Sequence, residues 1–187
     1  MKNGESRKKK TNTVLKEVLE WVEILAIAAA IAIFLNTCII ANSRVPTGSM
    51  ETTIMSGDRV IGSRLAYLGN KTPQRGDVII FRWPDNEKIL FVKRVIGVGG
   101  DVIDIHDGNV YLNGSDEPLD ESAYLTEPMN PFEPAMHFEV PEGQYFCMGD
   151  NRNYSMDARY WKNTYVSDSK ILAKVLIRYW PGIKVIH

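Results

Sequence analysis

A serine hydroxyl and a lysine amine are the two groups in this chain whose surroundings suit covalent chemistry. Ser49 sits in Val45-Pro46-Thr47-Gly48-Ser49-Met50, between small and apolar residues and just past a long apolar run. Lys93 is embedded in Leu90-Phe91-Val92-Lys93-Arg94-Val95-Ile96, the one place where a lysine lies inside such a run. A serine hydroxyl is a weak nucleophile until a base removes its proton. Histidine is the usual base, but His187 ends the chain, His137 lies in an acidic stretch and His106 precedes a turn, none in a triad context. Lysine can serve instead if its pKa falls from about 10.4 to near 7–8, a shift of roughly 4 kcal/mol that burial among apolar side chains can supply. On a strand, Phe91, Lys93 and Val95 would share one face while Arg94 takes the other, solvated or paired. The pattern alone leaves open a lysine that snorkels to water from an edge strand. Ser6-x-x-Lys9 and Ser167-x-x-Lys170 also match a serine–lysine spacing, but neither comes with companion motifs, and both are read as chance.

The elements that must position these groups begin with the apolar run. Ile24 to Ala41 is 18 residues without a charge, the lower end of a transmembrane helix. A cleaved signal peptide is the alternative, with Ala41-Asn42-Ser43 as its small-residue site. The run is too long for the usual apolar region of such a peptide, and cleavage would release the part that carries Ser49. An uncleaved anchor over residues 20–41 is therefore expected, behind a basic tail at 1–19. Lys2, Arg7, Lys8, Lys9 and Lys10 face Glu5 alone in the first 13 residues, which keeps the N-terminus cytoplasmic and sends residues 42–187 outside. The tail also suits anionic lipid headgroups.

Beyond the anchor, 16 Lys and Arg stand against 19 Asp and Glu, a net of −3 that gives no electrostatic reason to bind nucleic acid. Cys38 lies in the apolar run and Cys147 beyond it, so no disulfide closes the exported part, and no Cys/His spacing suggests zinc. Short apolar runs alternate with turn residues, as in an all-β domain. Strands are expected at Arg59–Ser63, Asp77–Trp83, Ile89–Val98, Val102–His106, Asn109–Leu112, Gln144–Met148 and Lys170–Arg178. Asp107-Gly108 reads as a hairpin, with further turns at Gly99-Gly100 and Asn113-Gly114. Residues 115–142 carry five prolines and eight acidic residues without one Lys or Arg, and are expected to form an exposed, poorly regular insertion.

Four ordered segments together resemble the type I signal peptidase (leader peptidase) family, in its short, single-anchor, Gram-positive-like branch. They are Val45–Met50 followed by Gly57-Asp58-Arg59-Val60; Arg75-Gly76-Asp77-Val78-Ile79-Ile80-Phe81; Val92-Lys93-Arg94-Val95-Ile96-Gly97; and the run Gly149 to Arg159. The resemblance implies a mainly β fold, an N-terminal transmembrane helix followed by an all-β signal-peptidase-like catalytic domain. It implies a membrane serine endopeptidase that removes signal peptides from exported preproteins, cutting after small residues at −1 and −3. By it, Ser49 matches the nucleophile and Lys93 the general base. Thr47 matches the hydroxyl of an oxyanion hole completed by the Ser49 N–H, and Ser155 the residue that orients the lysine. Asp157 and Arg159 match a structural ion pair near the site. Val45, Met50, Ile54, Phe91 and Val92 match the apolar walls of the substrate pockets. No metal, nucleotide or other cofactor is implied; the implied partners are signal peptides, the phospholipid bilayer of the cell membrane and the translocation machinery. The chain departs from the family at Thr52, where Pro is common, at Gly99, near which Pro is frequent, at Ala158, often Ser, and at Thr47, more often Ser.

Two other readings compete: a self-cleaving Ser/Lys protease of the SOS-repressor type, which would carry a DNA-binding domain where this chain has its apolar run, and a non-catalytic anchored binding protein, which Thr52 favours.

Overall fold

The computed structural model describes residues 3–131 and 134–186, with side chains from residue 16 onward. The chain divides into two units, residues 1–39 and 40–187. The first is a helix, α1 (Asn3–Phe34), that ends in a π-helical turn at Leu35–Ile39. Its segment Lys16–Ile39, 24 residues, is long and apolar enough to cross a membrane. The helix takes in the basic tail from Asn3 onward, and Lys16 pairs with Glu20 one turn on at 3.8 Å.

The second unit is mainly β. Its strands are β1 (Ile40–Arg44), β2 (Arg59–Ser63), β3 (Val78–Trp83), β4 (Asn86–Val98), β5 (Val102–His106) and β6 (Asn109–Leu112), followed by β7 (Met136–Glu139), β8 (Gln144–Met148), β9 (Val166–Ser167), β10 (Ile171–Trp180) and β11 (Lys184–Val185). The large antiparallel sheet runs β1-β2-β10-β3-β4-β8-β9, with β11 on β10; a second sheet runs β6-β5-β7. The helical run ends at Ile39, two residues before the expected end of the anchor at Ala41. Ile40 and Ala41 belong to β1, where Ala41 pairs with Gly62 and is buried. An apolar run has no mark within itself where exposed helix gives way to core-facing strand; the partner strand decides it.

The large sheet is covered on both faces, so its central strands read as continuous apolar runs. Val78, Ile79, Ile80 and Phe81 are all at most 2 % exposed. Ile79 and Phe81 enter one core with Val95, Phe146 and Trp161, while Val78 and Ile80 enter the other with Met50, Ile54 and Val60. The Phe81 ring packs edge-on against Phe91 at 6.5 Å and against Trp161 at 5.9 Å. Phe81→Ala should therefore destabilise the domain by about 3–5 kcal/mol, read as a lower denaturant midpoint at unchanged slope.

The Asp107-Gly108 hairpin forms as expected, both residues at positive φ (50° and 74°). The insertion departs from its expected exposure. Its Met136–Glu139 pairs with β5 as β7, Met129 and Val140 join the core, and Glu121 is buried.

Candidate active site

Three segments converge on the site. The first is the 3-10 turn Gly48–Met50, which carries Ser49. Its backbone is held from across the fold: the Ser49 carbonyl accepts the Asn151 N–H at 3.1 Å, and the Gly48 carbonyl accepts Asn151 Nδ2 at 3.0 Å. Met50 points into the core with no exposure, which seats the turn. The Thr47 and Ser49 hydroxyls lie 3.3 Å apart, hydrogen-bonded.

The second is β4. Lys93 lies opposite Ile79 of β3 and is 3 % exposed, with Nζ 5.6 Å from the Phe91 ring centroid. Nζ donates to Ser155 Oγ at 3.1 Å. Burial pulls the Lys93 pKa down from 10.5 to about 8, opposed by the charge of Asp157 and aided by that of Arg159. Arg94, on the other face of the strand, is paired rather than solvated. It is 1 % exposed and grips Asp150 with Nε at 2.9 Å and Nη2 at 2.8 Å.

The third is the loop Gly149 to Arg159. Asp157 is fully buried and accepts Arg159 Nε at 2.8 Å, Arg159 Nη2 at 2.9 Å and the Gly149 N–H at 3.0 Å. That ion pair fixes the two ends of the loop on which Ser155 is carried. Thr53 Oγ1 donates to Asp150 at 2.5 Å, linking this loop to the residues after Ser49.

A groove of about 320 Å³ brings Ser49, Lys93 and Thr47 together with Val45, Phe91 and Val92. Met50 and Ile54, expected on its walls, lie outside its lining; both are fully buried and pack with Val60 and Val78. The groove also takes in Ile89, Leu90, Tyr154 and Met156, all more than two-fifths exposed, which the sequence pattern did not single out. Exposed apolar residues at a rim carry no periodic signature, so only the fold could reveal them. Neither described histidine reaches the groove: His106 stacks on Tyr111, and His137 bonds Asp104 in the smaller sheet. The Ser167-x-x-Lys170 match is undone by its partners, Ser169 for the serine and Glu87 for the lysine. Among the described residues no three His, Cys, Asp or Glu side chains gather as a metal site.

A family of signal peptidases, peptidase S26, matches residues 18–180 of the chain. A probable signal peptidase I-2 from Synechocystis sp. is 34% identical over 186 residues, covering 97% of this chain and 82% of the relative. Signal peptidase I from Leptolyngbya laminosa is 30% identical over 171 residues, with 88% and 80% covered. A crystal structure of a signal peptidase I from Enterococcus faecalis V583 shares 31% identity at a TM-score of 0.46, covering 57% of this chain and 98% of that one. The chain belongs to the peptidase S26 family of signal peptidases. Its class is that of signal peptidase I, and its substrates are the signal peptides of preproteins.

Proposed function

We propose that this signal peptidase cuts by a Ser49–Lys93 dyad, with Ser49 Oγ as nucleophile and Lys93 Nζ as general base. The observation that carries the reading is the lysine itself. It is buried, brought down to about 8 and held by Ser155, in the same groove as Ser49. An amine with that pKa is partly neutral near pH 7 and can take the hydroxyl proton. Ser49 then attacks the scissile carbonyl, and the ammonium returns the proton to the leaving amine. The oxyanion that forms is held by Thr47 Oγ1 and the Ser49 N–H, for which the 3.3 Å approach of the two hydroxyls is the support. Ser155 orients Nζ, and the Asp157–Arg159 pair stiffens the loop that carries it.

The substrate lies extended along the groove. Residues 90–93 of β4 pair only with β3, since β8 joins β4 from Arg94 onward, so the other edge of this stretch suits an added strand. Val45, Phe91 and Val92 wall shallow pockets that take small side chains at −1 and −3. Lys16–Ile39 anchors the enzyme once in the cell membrane, N-terminus in the cytoplasm, catalytic domain outside. Ser49 follows the anchor closely in sequence, and the tether raises the local concentration of membrane-bound substrate. The bilayer and the translocation machinery are the partners this placement calls for.

The test is cleavage of a preprotein with Ala at −3 and −1, in detergent and phospholipid. Wild type should cut after the −1 Ala, and Ser49→Ala should not. A folded wild type that cuts none of several such substrates at any pH would overturn the reading.

A further inference from the structure

The acidic insertion reaches into the site from behind. Glu121 is 8 % exposed, and its carboxylate takes both terminal nitrogens of Arg152, Nη1 at 2.6 Å and Nη2 closer still. Arg152 is itself buried, and its Nε donates to the Gly149 carbonyl at 3.2 Å. Tyr124 donates its hydroxyl to Glu121 at 2.7 Å and lays its ring under the Arg94 guanidinium at 4.0 Å. Further along, the Asn130 N–H donates to Asn153 Oδ1 at 2.8 Å, and Arg159 Nη1 meets Met129 Sδ at 3.1 Å. Apart from the Tyr124–Glu121 bond within the insertion, every one of these contacts lands on the Gly149–Arg159 loop or on the residue next to Lys93.

We propose that the insertion is a positioning element for the reaction, and that Glu121, acting through Arg152, sets the loop that aims Ser155 at Lys93 and holds the Ser49 carbonyl. The inference rests on the Ser49–Lys93 reading. A solvated loop would not bury a carboxylate, and a fork-to-fork Arg–carboxylate pair fixes direction as well as distance. With Glu121 neutral, Arg152 becomes a buried cation without its counter-charge and turns toward water, drawing Gly149 and Asn151 with it. Ser155 then loses its aim, water reaches Lys93, and the burial that lowers its pKa weakens. The other groups that act on Lys93 are Asp157, Arg159, Asp150 and Cys147, none of which the substitution removes.

The experiment measures kcat, KM and the pH profile of preprotein cleavage for wild type, Glu121→Gln, Tyr124→Phe and the control Glu117→Gln, an exposed residue of the same insertion. Glu121→Gln should lower kcat tenfold or more, leave KM within twofold and move the Lys93 limb upward by at least half a pH unit, while Glu117→Gln matches wild type. Adding Arg152→Gln to Glu121→Gln removes the unpaired charge, so the melting temperature should recover while kcat does not. A folded Glu121→Gln with wild-type kcat, an unmoved limb, or a kcat that returns with the melting temperature overturns the proposal. If Glu121→Gln does not fold, Tyr124→Phe decides: a threefold or greater fall in kcat with an upward limb supports it, and wild-type behaviour overturns it. A folded wild type that cuts nothing fails the dyad reading first and this one with it.

Discussion

Lys93→Ala is expected to lower preprotein cleavage by about a thousandfold or more while leaving the domain folded. A positioned general base contributes on the order of 10²–10⁴, and among the described residues no histidine stands near the groove to replace it. The two described histidines sit in the smaller sheet, away from the groove. Lys93→Arg should be equally inactive, because a guanidinium stays protonated at every working pH. In the proposed dyad the active form is the neutral amine, so cleavage should rise with pH through a limb near 8. At pH 7 roughly a tenth of the molecules would carry the neutral base. Rates for wild type and both variants from pH 6 to 10 test this together. Wild-type rates in folded Lys93→Ala, or a wild-type limb that survives in it, would remove lysine from the mechanism.

The same burial costs stability below the unfolded lysine's pKa. The unfolded chain keeps the lysine proton up to about 10.5, whereas the folded chain releases it near 8. Between these values the unfolded state binds more protons, so the lysine makes stability rise with pH across that window. Below pH 8 both states are protonated, and the fold bears the full penalty of an ionised buried amine, on the order of 3 kcal/mol. Lys93→Met keeps the side-chain volume and removes the charge. It should stabilise the domain at pH 7 by roughly 1–3 kcal/mol, an advantage that fades above about pH 10. Denaturant melts of the two proteins at pH 7 and pH 10 read it directly; equal midpoints at pH 7 would show that Lys93 bears no such penalty.

Much of the fold was legible because turn chemistry and alternation are local. Arg59–Ser63, Val102–His106, Asn109–Leu112 and Gln144–Met148 form as expected, bounded by glycine, asparagine and aspartate turns. What was hidden depends on distant partners. β1 looked like the end of an anchor until Gly62 lay opposite Ala41. Val166–Ser167 and Lys184–Val185 are two residues each, too short for any alternation. The insertion looked solvated because its acids have no basic neighbours in sequence; Glu121 finds Arg152 only through the fold. In the site, Lys93 stood out as a cation in an apolar run, a conflict between local chemistry and burial of the kind that marks function. Ser155 had no such conflict, and only the resemblance singled it out. Met50 and Ile54 were legible as apolar, but not as core rather than wall.

The tightest steric constraint on the site is a missing side chain. A Cβ on Gly149 would lie well inside contact distance of the Ser49 carbonyl oxygen and of Ser155 Oγ, and 2.7 Å from Ser155 Cβ. The glycine cannot simply back away: its N–H is held by Asp157 at 3.0 Å, and its carbonyl takes Arg152 Nε at 3.2 Å. Gly149→Ala must therefore push the nucleophile turn, the lysine's partner, or both. A displacement of about 1 Å at reacting groups costs on the order of a hundredfold. We expect kcat to fall by about that factor. KM should change little, because Val45, Phe91 and Val92 are untouched, and overpacking should cost about 1–3 kcal/mol of stability. Steady-state kinetics on folded Gly149→Ala carry the test. A near-normal kcat would mean that Ser49 and Ser155 tolerate that shift, and that the dyad does not depend on the close approach of these two segments.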